Sequence, residues 1–480
     1  MLRAGGRVGR TLARCAAIVG ALAVGALWQP IAAAARGTGP GAATDAAATT
    51  SAAAADPFLS SLGRSVFRKA WVSAPASTDS SDGLGPLYNA RACSVCHPGD
   101  GRARPSAIDS AGKTSAALVM RLSIPPASET EKQALAALRL ASLGDPTYGL
   151  QLQTGSIQGH AAEGLLAVAY RPIRVPFTDG SAVGLAQPDY RMDRLGYGHM
   201  HPQVKTSPRL APRLVGLGWL AAVPEAAILA WEDANDRDGD GISGRASRVW
   251  SPTDERLEVG RFGLKAAVGS LRQQIADAFA IDMGLSSPAA ARPAGDCTAR
   301  QIACRAAPAG TSARHGGHEV GDTLLDLVTA FVASLDPPPR RHADHPEVRA
   351  GERHFRDVGC SACHRPSLLT SPSASALGAL IPAIEPFTDL LLHDMGEGLA
   401  DHRPEGTATG REWRTAPLWG IGHGDATQAP PHHVYLHDGR ASTLEEAILW
   451  HGGEAEAARD AFVALPRASR EQLIAFLRSL

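Results

Sequence analysis

The chain reads as a mainly α-helical protein built from two related domains, the first enlarged by a loop-rich insertion. Three observations predict this. The pentapeptide Cys-x-x-Cys-His occurs twice, as Cys93-Ser-Val-Cys96-His97 and Cys360-Ser-Ala-Cys363-His364. Flanking patterns repeat with it: Gly63-x-x-x-Phe67-Arg68 and Gly351-x-x-x-Phe355-Arg356 lie ahead of the two copies, and Ala330-Phe331-Val-Ala-Ser334-Leu335 is answered by Ala475-Phe476-Leu-Arg-Ser479-Leu480 behind them. The 50 glycines and 34 prolines among 480 residues imply many turns and extended loops between the helices.

Residues 1–35 carry Arg3, Arg7, Arg10 and Arg14, an apolar run from Cys15 to Trp28, and small residues from Ala32 to Ala35. That order predicts a secretory signal peptide, and no later stretch is apolar for long enough to span a membrane. No lipoprotein-type cysteine follows the apolar run, so no lipid anchor is expected. Residues 36–56, rich in Ala, Thr and Gly, read as a disordered leader. The mature protein is therefore expected to be soluble in the periplasm.

Each pentapeptide has the form of a site for covalent haem attachment. Two thiols three residues apart share one face of a helical turn, where they can add to the two vinyl groups of one porphyrin, and the following His falls under the iron. With 7 Cys and 17 His in 480 positions, chance alone gives 480 × (7/480)² × (17/480), or about 0.004 copies. Cys93, Cys96 and His97 are thus expected to hold one haem c, and Cys360, Cys363 and His364 a second. A four-thiolate zinc site fits badly, because the pairs are far apart in sequence and both carry a His that such a site does not use. After Cys15 leaves with the signal, Cys297 and Cys304 remain, and an oxidising compartment favours a disulfide between them, stabilising by about 2–3 kcal/mol. A redox-active pair is the alternative.

The formal net charge of −1 offers no global field for nucleic acid or an acidic membrane. Aromatic residues make up 5% of the chain, compatible with cores built partly around porphyrin. Between Asp336 and Pro346 a proline-rich connector ends one helix before the next. The domains are therefore expected at 57–340, a first haem c domain with its insertion, and 341–480, a second cytochrome c domain. In the last segment Ser469 and Gln472 have capping-box spacing, and Leu473, Ile474, Phe476, Leu477 and Leu480 form an apolar face that should pack across the helix headed by Gly351. Within the insertion, Asp236-Arg-Asp238-Gly-Asp240-Gly241 opens like a calcium loop. Its twelfth position is Ser247 rather than Glu, so Asp233 or Glu232 would have to complete the shell.

Taken together, Asp82-Gly-Leu-Gly-Pro-Leu-Tyr-Asn89, Asp240-Gly-Ile-Ser-Gly-Arg245, Gly260-Arg-Phe-Gly-Leu-Lys-Ala266 and Leu392-His-Asp-Met-Gly396 resemble the di-haem oxidoreductase family of peroxidases and thiol oxidoreductases. The second domain is also similar to bacterial di-haem cytochrome c peroxidases through Tyr435-Leu-His-Asp-Gly-Arg440 and Thr443-Leu-Glu-Glu-Ala447. The resemblance implies that His451 is the sixth ligand of the second iron, with Met395 and His393 as rivals. For the first iron the candidates are His160, His199, Met200, His201 and Met283, and Glu163 is a candidate acid–base residue.

The function expected is an exported di-haem cytochrome that takes electrons from a small periplasmic electron-transfer protein through the second haem to a substrate, such as peroxide, at the first. The alternative is a non-catalytic carrier with two six-coordinate haems. A thiol oxidase is a third reading, for which Cys297 and Cys304 would be the internal thiols.

Overall fold

Two pairs of crossed helices frame the molecule, one for each Cys-x-x-Cys-His segment, in a computed structural model that describes residues 57–78, 81–109, 113–370, 383–423 and 434–480. The signal peptide and leader expected over 1–56 lie outside the described residues. In the first pair, Pro57–Arg68 buries Gly63 and Phe67 on one face, four residues apart, against Asp322–Ala333. In the second, Pro346–Asp357 buries Val348, Gly351 and Phe355 against Leu473, Phe476 and Leu477 of Arg467–Ser479. Glycine is required at both crossings. A Cβ on Gly63 would collide with the Leu327 carbonyl and lie 2.7 Å from the Phe331 Cβ; on Gly351 it would collide with the Gln472 carbonyl and lie 2.8 Å from the Phe476 Cβ.

The repeat seen in sequence is thus a repeat in space. Phe67 stands 5.2 Å from the Phe331 ring and 6.4 Å from His97, while Phe355 stands 5.1 Å from Phe476 and 6.4 Å from His364. The terminal helix starts earlier than the capping box suggested. It follows Pro466, whose fixed φ suits a helix start, and Ser469 lies inside the first turn without capping it.

The expectation of a mainly α-helical chain is wrong: 29% of the described residues are helical and 20% are in strands. The strands form seven two-stranded sheets among the described residues. The longest pairs Leu165–Pro176 with Ala182–Asp193 in antiparallel register from Leu165 opposite Asp193 to Pro176 opposite Ala182. Another pairs Leu118–Ser123 with Lys205–Leu210. Pro172, Pro176, Pro188 and Pro208 sit inside these strands, which weakens their signature in sequence. The strands that carry these prolines tolerate them because each pairs with a single other strand, leaving one side free of ladder bonds.

The long hairpin also ties the molecule together. Its base joins a core around Met120, Tyr148, Leu152 and Leu166, while Phe177 and Leu185 near its tip join the core of Phe355, Phe387, Trp413 and Phe476. At the tip, buried Arg470 pairs with Asp179 at 2.8 Å and lies 3.9 Å over the Phe177 ring. No described helix is long and apolar enough to cross a membrane.

Candidate functional site

Cys93–Cys96 forms a single helical turn, closed by His97 N donating to Cys93 O at 2.9 Å, and His364 N donates to Cys360 O at 3.0 Å in the second copy. Each turn thus brings its two cysteines and its histidine into one turn of helix. The His97 Nδ1 donates to the Pro212 carbonyl at 2.9 Å, and the His364 Nδ1 to the Phe387 carbonyl at 3.0 Å. Because Nδ1 carries the proton in each, Nε2 is the bare nitrogen, the form in which imidazole binds a metal.

All four motif thiols are unpaired. Burial pushes Cys93, Cys96 and Cys360 each up to about 12, with Asp282 adding to the rise at the first two and Cys363 at the third. Such thiols are neutral, unlike the low-pKa thiolate of a redox-active pair. The potential metal-ligand groups among the described residues are Cys363–Asp389–His393 and Asp236–Asp238–Asp240, so the four motif thiols do not gather into a zinc site there. Cys297 and Cys304 form a disulfide, as the compartment argument favoured.

The surroundings of the two motifs differ. At the second, His451 follows the Leu444–Leu449 helix, which Thr443 caps by accepting from Glu446 N at 3.1 Å. The His451 Nδ1 donates to the Ala447 carbonyl at 2.8 Å, leaving its Nε2 bare as well. His451 is close to His364: burial pushes His364 down to about 4 against the Phe387 hydrogen bond, and His451 adds to the fall. His393 has both nitrogens engaged, Nδ1 with Glu454 at 2.7 Å and Nε2 with Asp389 at 3.0 Å. Burial opposes its charge, but Asp389, Glu454 and the Cys363 sulfur, 3.6 Å from Nδ1, prevail and hold it protonated well above the usual range. Met395 is half-buried against the second core.

At the first motif the nearby charge is Asp282, which acts on Cys93, Cys96 and His97 alike. The Gln151 Nε2 donates to Asp282 at 2.8 Å and to the Asn89 side-chain oxygen at 2.5 Å, and the Gln153 Nε2 donates to the Ile281 carbonyl at 2.9 Å. The side-chain oxygens of Gln151 and Gln153 are buried with no protein partner. Behind this layer Glu163, 1% exposed, accepts from Gln153 N at 2.6 Å and from the Gln301 Nε2 at 2.5 Å. Burial pushes Glu163 up to about 8 despite those donors. Of the candidates for the first iron, Met283 is buried in the core that also packs Cys93, and Met200, like Cys96, packs against the core around Met120. His199 is exposed, and His160 and His201 are half-buried.

Sequence reasoning missed Asp282, Gln151 and Gln153. The alternation of Gln151 and Gln153 on one side of an extended segment was the available signal, whereas nothing local marks Asp282.

In the insertion, the Asp236, Asp238 and Asp240 carboxylates come within 4.8 Å of one another, and Gly241 N donates to Asp236 at 3.2 Å. Neither residue suggested to complete the shell is free: Asp233 pairs with Arg237 at 2.9 Å, and Glu232 accepts from Ala246 N at 2.8 Å. Ser247 is buried and hydrogen-bonds Thr407 at 3.1 Å. Just after the loop, Ser243 donates from N and Oγ to Glu454, at 3.0 and 3.1 Å, the carboxylate that also holds His393.

Residues 35–480 match the family described as "Di-haem oxidoreductase, putative peroxidase". The chain belongs to the di-haem oxidoreductase family. Haem is accordingly its cofactor. No curated protein matches it. Among solved structures it is similar in part to hydrazine synthase of Kuenenia stuttgartiensis pressurised with xenon, at 19% identity and a TM-score of 0.23, over 34% of this chain and 57% of that one. The di-haem oxidoreductase thus spans little more than half of that protein's length, and the likeness decides nothing about fold or activity.

Proposed function

We propose that this di-haem oxidoreductase is an exported c-type cytochrome acting as a peroxidase, with electrons from a small periplasmic electron-transfer protein entering at the second haem and peroxide reduced at the first. Cys93 and Cys96 would hold one porphyrin through thioether bonds, and Cys360 and Cys363 the other, with the Nε2 atoms of His97 and His364 as iron ligands. The unpaired thiols and the fixed imidazole tautomers fit that role. Residues 57–340 would form the first haem c domain with its insertion, and 341–480 the second. When bound, haem supplies one-electron redox chemistry and, where its sixth position is open, a place for peroxide.

The asymmetry between these surroundings carries the enzymatic reading. The second presents His451, whose bare Nε2 suits a sixth ligand. The first presents buried amide oxygens of Gln151 and Gln153, able to accept from the O–H groups of peroxide, with Glu163 behind them. A carboxyl pushed up to about 8 holds its proton at neutral pH and can return it to a departing oxygen, because its pKa lies near the working pH. Peroxide reduction takes up two electrons and two protons and releases two waters.

The Asp236, Asp238 and Asp240 carboxylates would hold calcium and stiffen the loop that Ser243 anchors to Glu454. A periplasmic location, free of any membrane span once 1–35 is removed, accords with the lack of a membrane-crossing helix among the described residues.

The test is peroxide-dependent oxidation of a reduced small c-type cytochrome. Turnover is expected, and Glu163→Gln should slow it by about 10²-fold or more. A protein loaded with both haems that never oxidises its donor on adding peroxide would instead be a plain electron carrier.

A further inference from the structure

The Cys297–Cys304 disulfide has no part in the chemistry above, yet the loop it closes reaches Glu163, the proposed proton donor. Gln301, within the loop and 1% exposed, donates from Nε2 to the Glu163 Oε1. Its own amide oxygen is fixed by Thr298 N at 2.8 Å. The loop is tied down again at Thr147, through the Thr298 hydroxyl to the Thr147 carbonyl at 3.1 Å and the Arg300 guanidinium to the Thr147 hydroxyl at 3.1 Å. Just before the first cysteine, the Asp296 carboxylate accepts from Leu150 N at 2.6 Å and Gln151 N at 3.1 Å, so it holds the backbone that presents Gln151 and Gln153. One cross-linked segment thereby grips both the proton-holding carboxyl and the amides in front of it.

We propose that the disulfide-closed segment 296–304 is a positioning element for the acid–base carboxyl of the first site, with Gln301 as the residue that orients Glu163. This rests on the reading of Glu163 as the proton donor. With Gln153 N on one carboxyl oxygen and Gln301 on the other, the plane of the group is fixed. Both donors favour the ionised form and so oppose burial. Asp145 and Asp296 face the same carboxyl and push the other way, and Tyr148 and Tyr197 also feel its charge. Without the cross-link, the chain between the two cysteines, which are seven positions apart, would be free to withdraw Gln301, and the disulfide limits that freedom.

The experiment is an infrared titration of the Glu163 carboxylic acid band in the haem-loaded protein, the band being identified by its loss in Glu163→Gln. Gln301→Leu removes one donor to the carboxylate and should raise the titration midpoint by about one pH unit. Cys297→Ala with Cys304→Ala keeps Gln301 but frees the loop, and should move the midpoint in the same direction. Haem content and melting temperature, read alongside, register a merely structural role, which would change stability and leave the midpoint in place. A midpoint unmoved in both variants overturns the proposal. A midpoint that moves while the pH profile of peroxide turnover does not would uphold the positioning of Glu163 and remove it from the proposed reaction.

Discussion

Gly351 meets the carbonyl of Gln472 where the Pro346–Asp357 and Arg467–Ser479 helices cross, leaving no room for a side chain, and Gly63 meets Leu327 in the same way at the other crossing. These contacts set how closely each helix pair approaches, and so where Phe355 and Phe67 stand beside their histidines.

Gly351→Ala and Gly63→Ala should each destabilise the haem-loaded protein by about 1–3 kcal/mol, because the obstacle is backbone that cannot rotate away. Denaturant unfolding followed at both the haem band and the far ultraviolet checks this. Unchanged midpoints in both variants would mean that the crossings can open without cost.

Replacing Cys93 and Cys96, or Cys360 and Cys363, with Ala should halve the covalently held haem, since each pair serves one porphyrin. Pyridine haemochrome per mole of chain is the readout. A fall to zero from one pair would mean that the two sites mature together, and no fall would refute attachment at these residues.

The glycine crossings and the paired motifs were legible in the sequence because each rests on residues at fixed local spacing, repeated. The Gly-x-x-x-Phe string fixes which face a helix buries, and Cys-x-x-Cys-His fixes one turn. What was not legible depends on contacts between distant segments. Pro212, the hydrogen-bond partner of His97, and Asp282, beside both thiols of its motif, lie more than a hundred residues from it and carry no pattern of their own. The strands were hidden by prolines that an edge strand tolerates, and His393 looked like a ligand until Asp389 and Glu454 were found on both its nitrogens. The acidic loop was found by spacing, but the residues expected to complete it turned out to be engaged elsewhere.

His451→Met should keep a six-coordinate second iron and raise its potential by roughly 100 mV or more, since a thioether favours ferrous iron more than imidazole does. His451→Ala should open the site. Optical redox titration of both variants decides it. A second-haem spectrum indifferent to both changes would shift the role to Met395.

Chelating calcium should lower the melting temperature, and Asp238→Ala should abolish that difference, because three carboxylates held within 4.8 Å repel one another until a cation joins them. Identical calorimetric traces with calcium and with chelator would make the loop an ordinary acidic turn.

Stability should fall as pH rises from about 4.5 to about 8 through Glu163. In that window the folded protein keeps a proton that the unfolded chain, with its carboxyl at the ordinary value of 4.5, has released. The unfolded state therefore binds fewer protons, and unfolding becomes easier with pH, by at most about 1.4 kcal/mol per pH unit from this group. Asp296, raised to about 6 by burial, acts in the same sense at the lower end. Between pH 6 and 8 the Glu163→Gln variant should lose stability less steeply than the parent in denaturant unfolding. Parallel curves would mean that Glu163 titrates normally.

The unlike surroundings of the two motifs are tested most directly by electron paramagnetic resonance of the fully ferric protein. The expected spectrum contains one low-spin signal of bis-imidazole type, from the haem between His364 and His451, and one high-spin signal, from the haem at His97, that alone changes on adding hydrogen peroxide. Two low-spin signals, both inert to peroxide, would contradict it and leave a carrier with two closed sites.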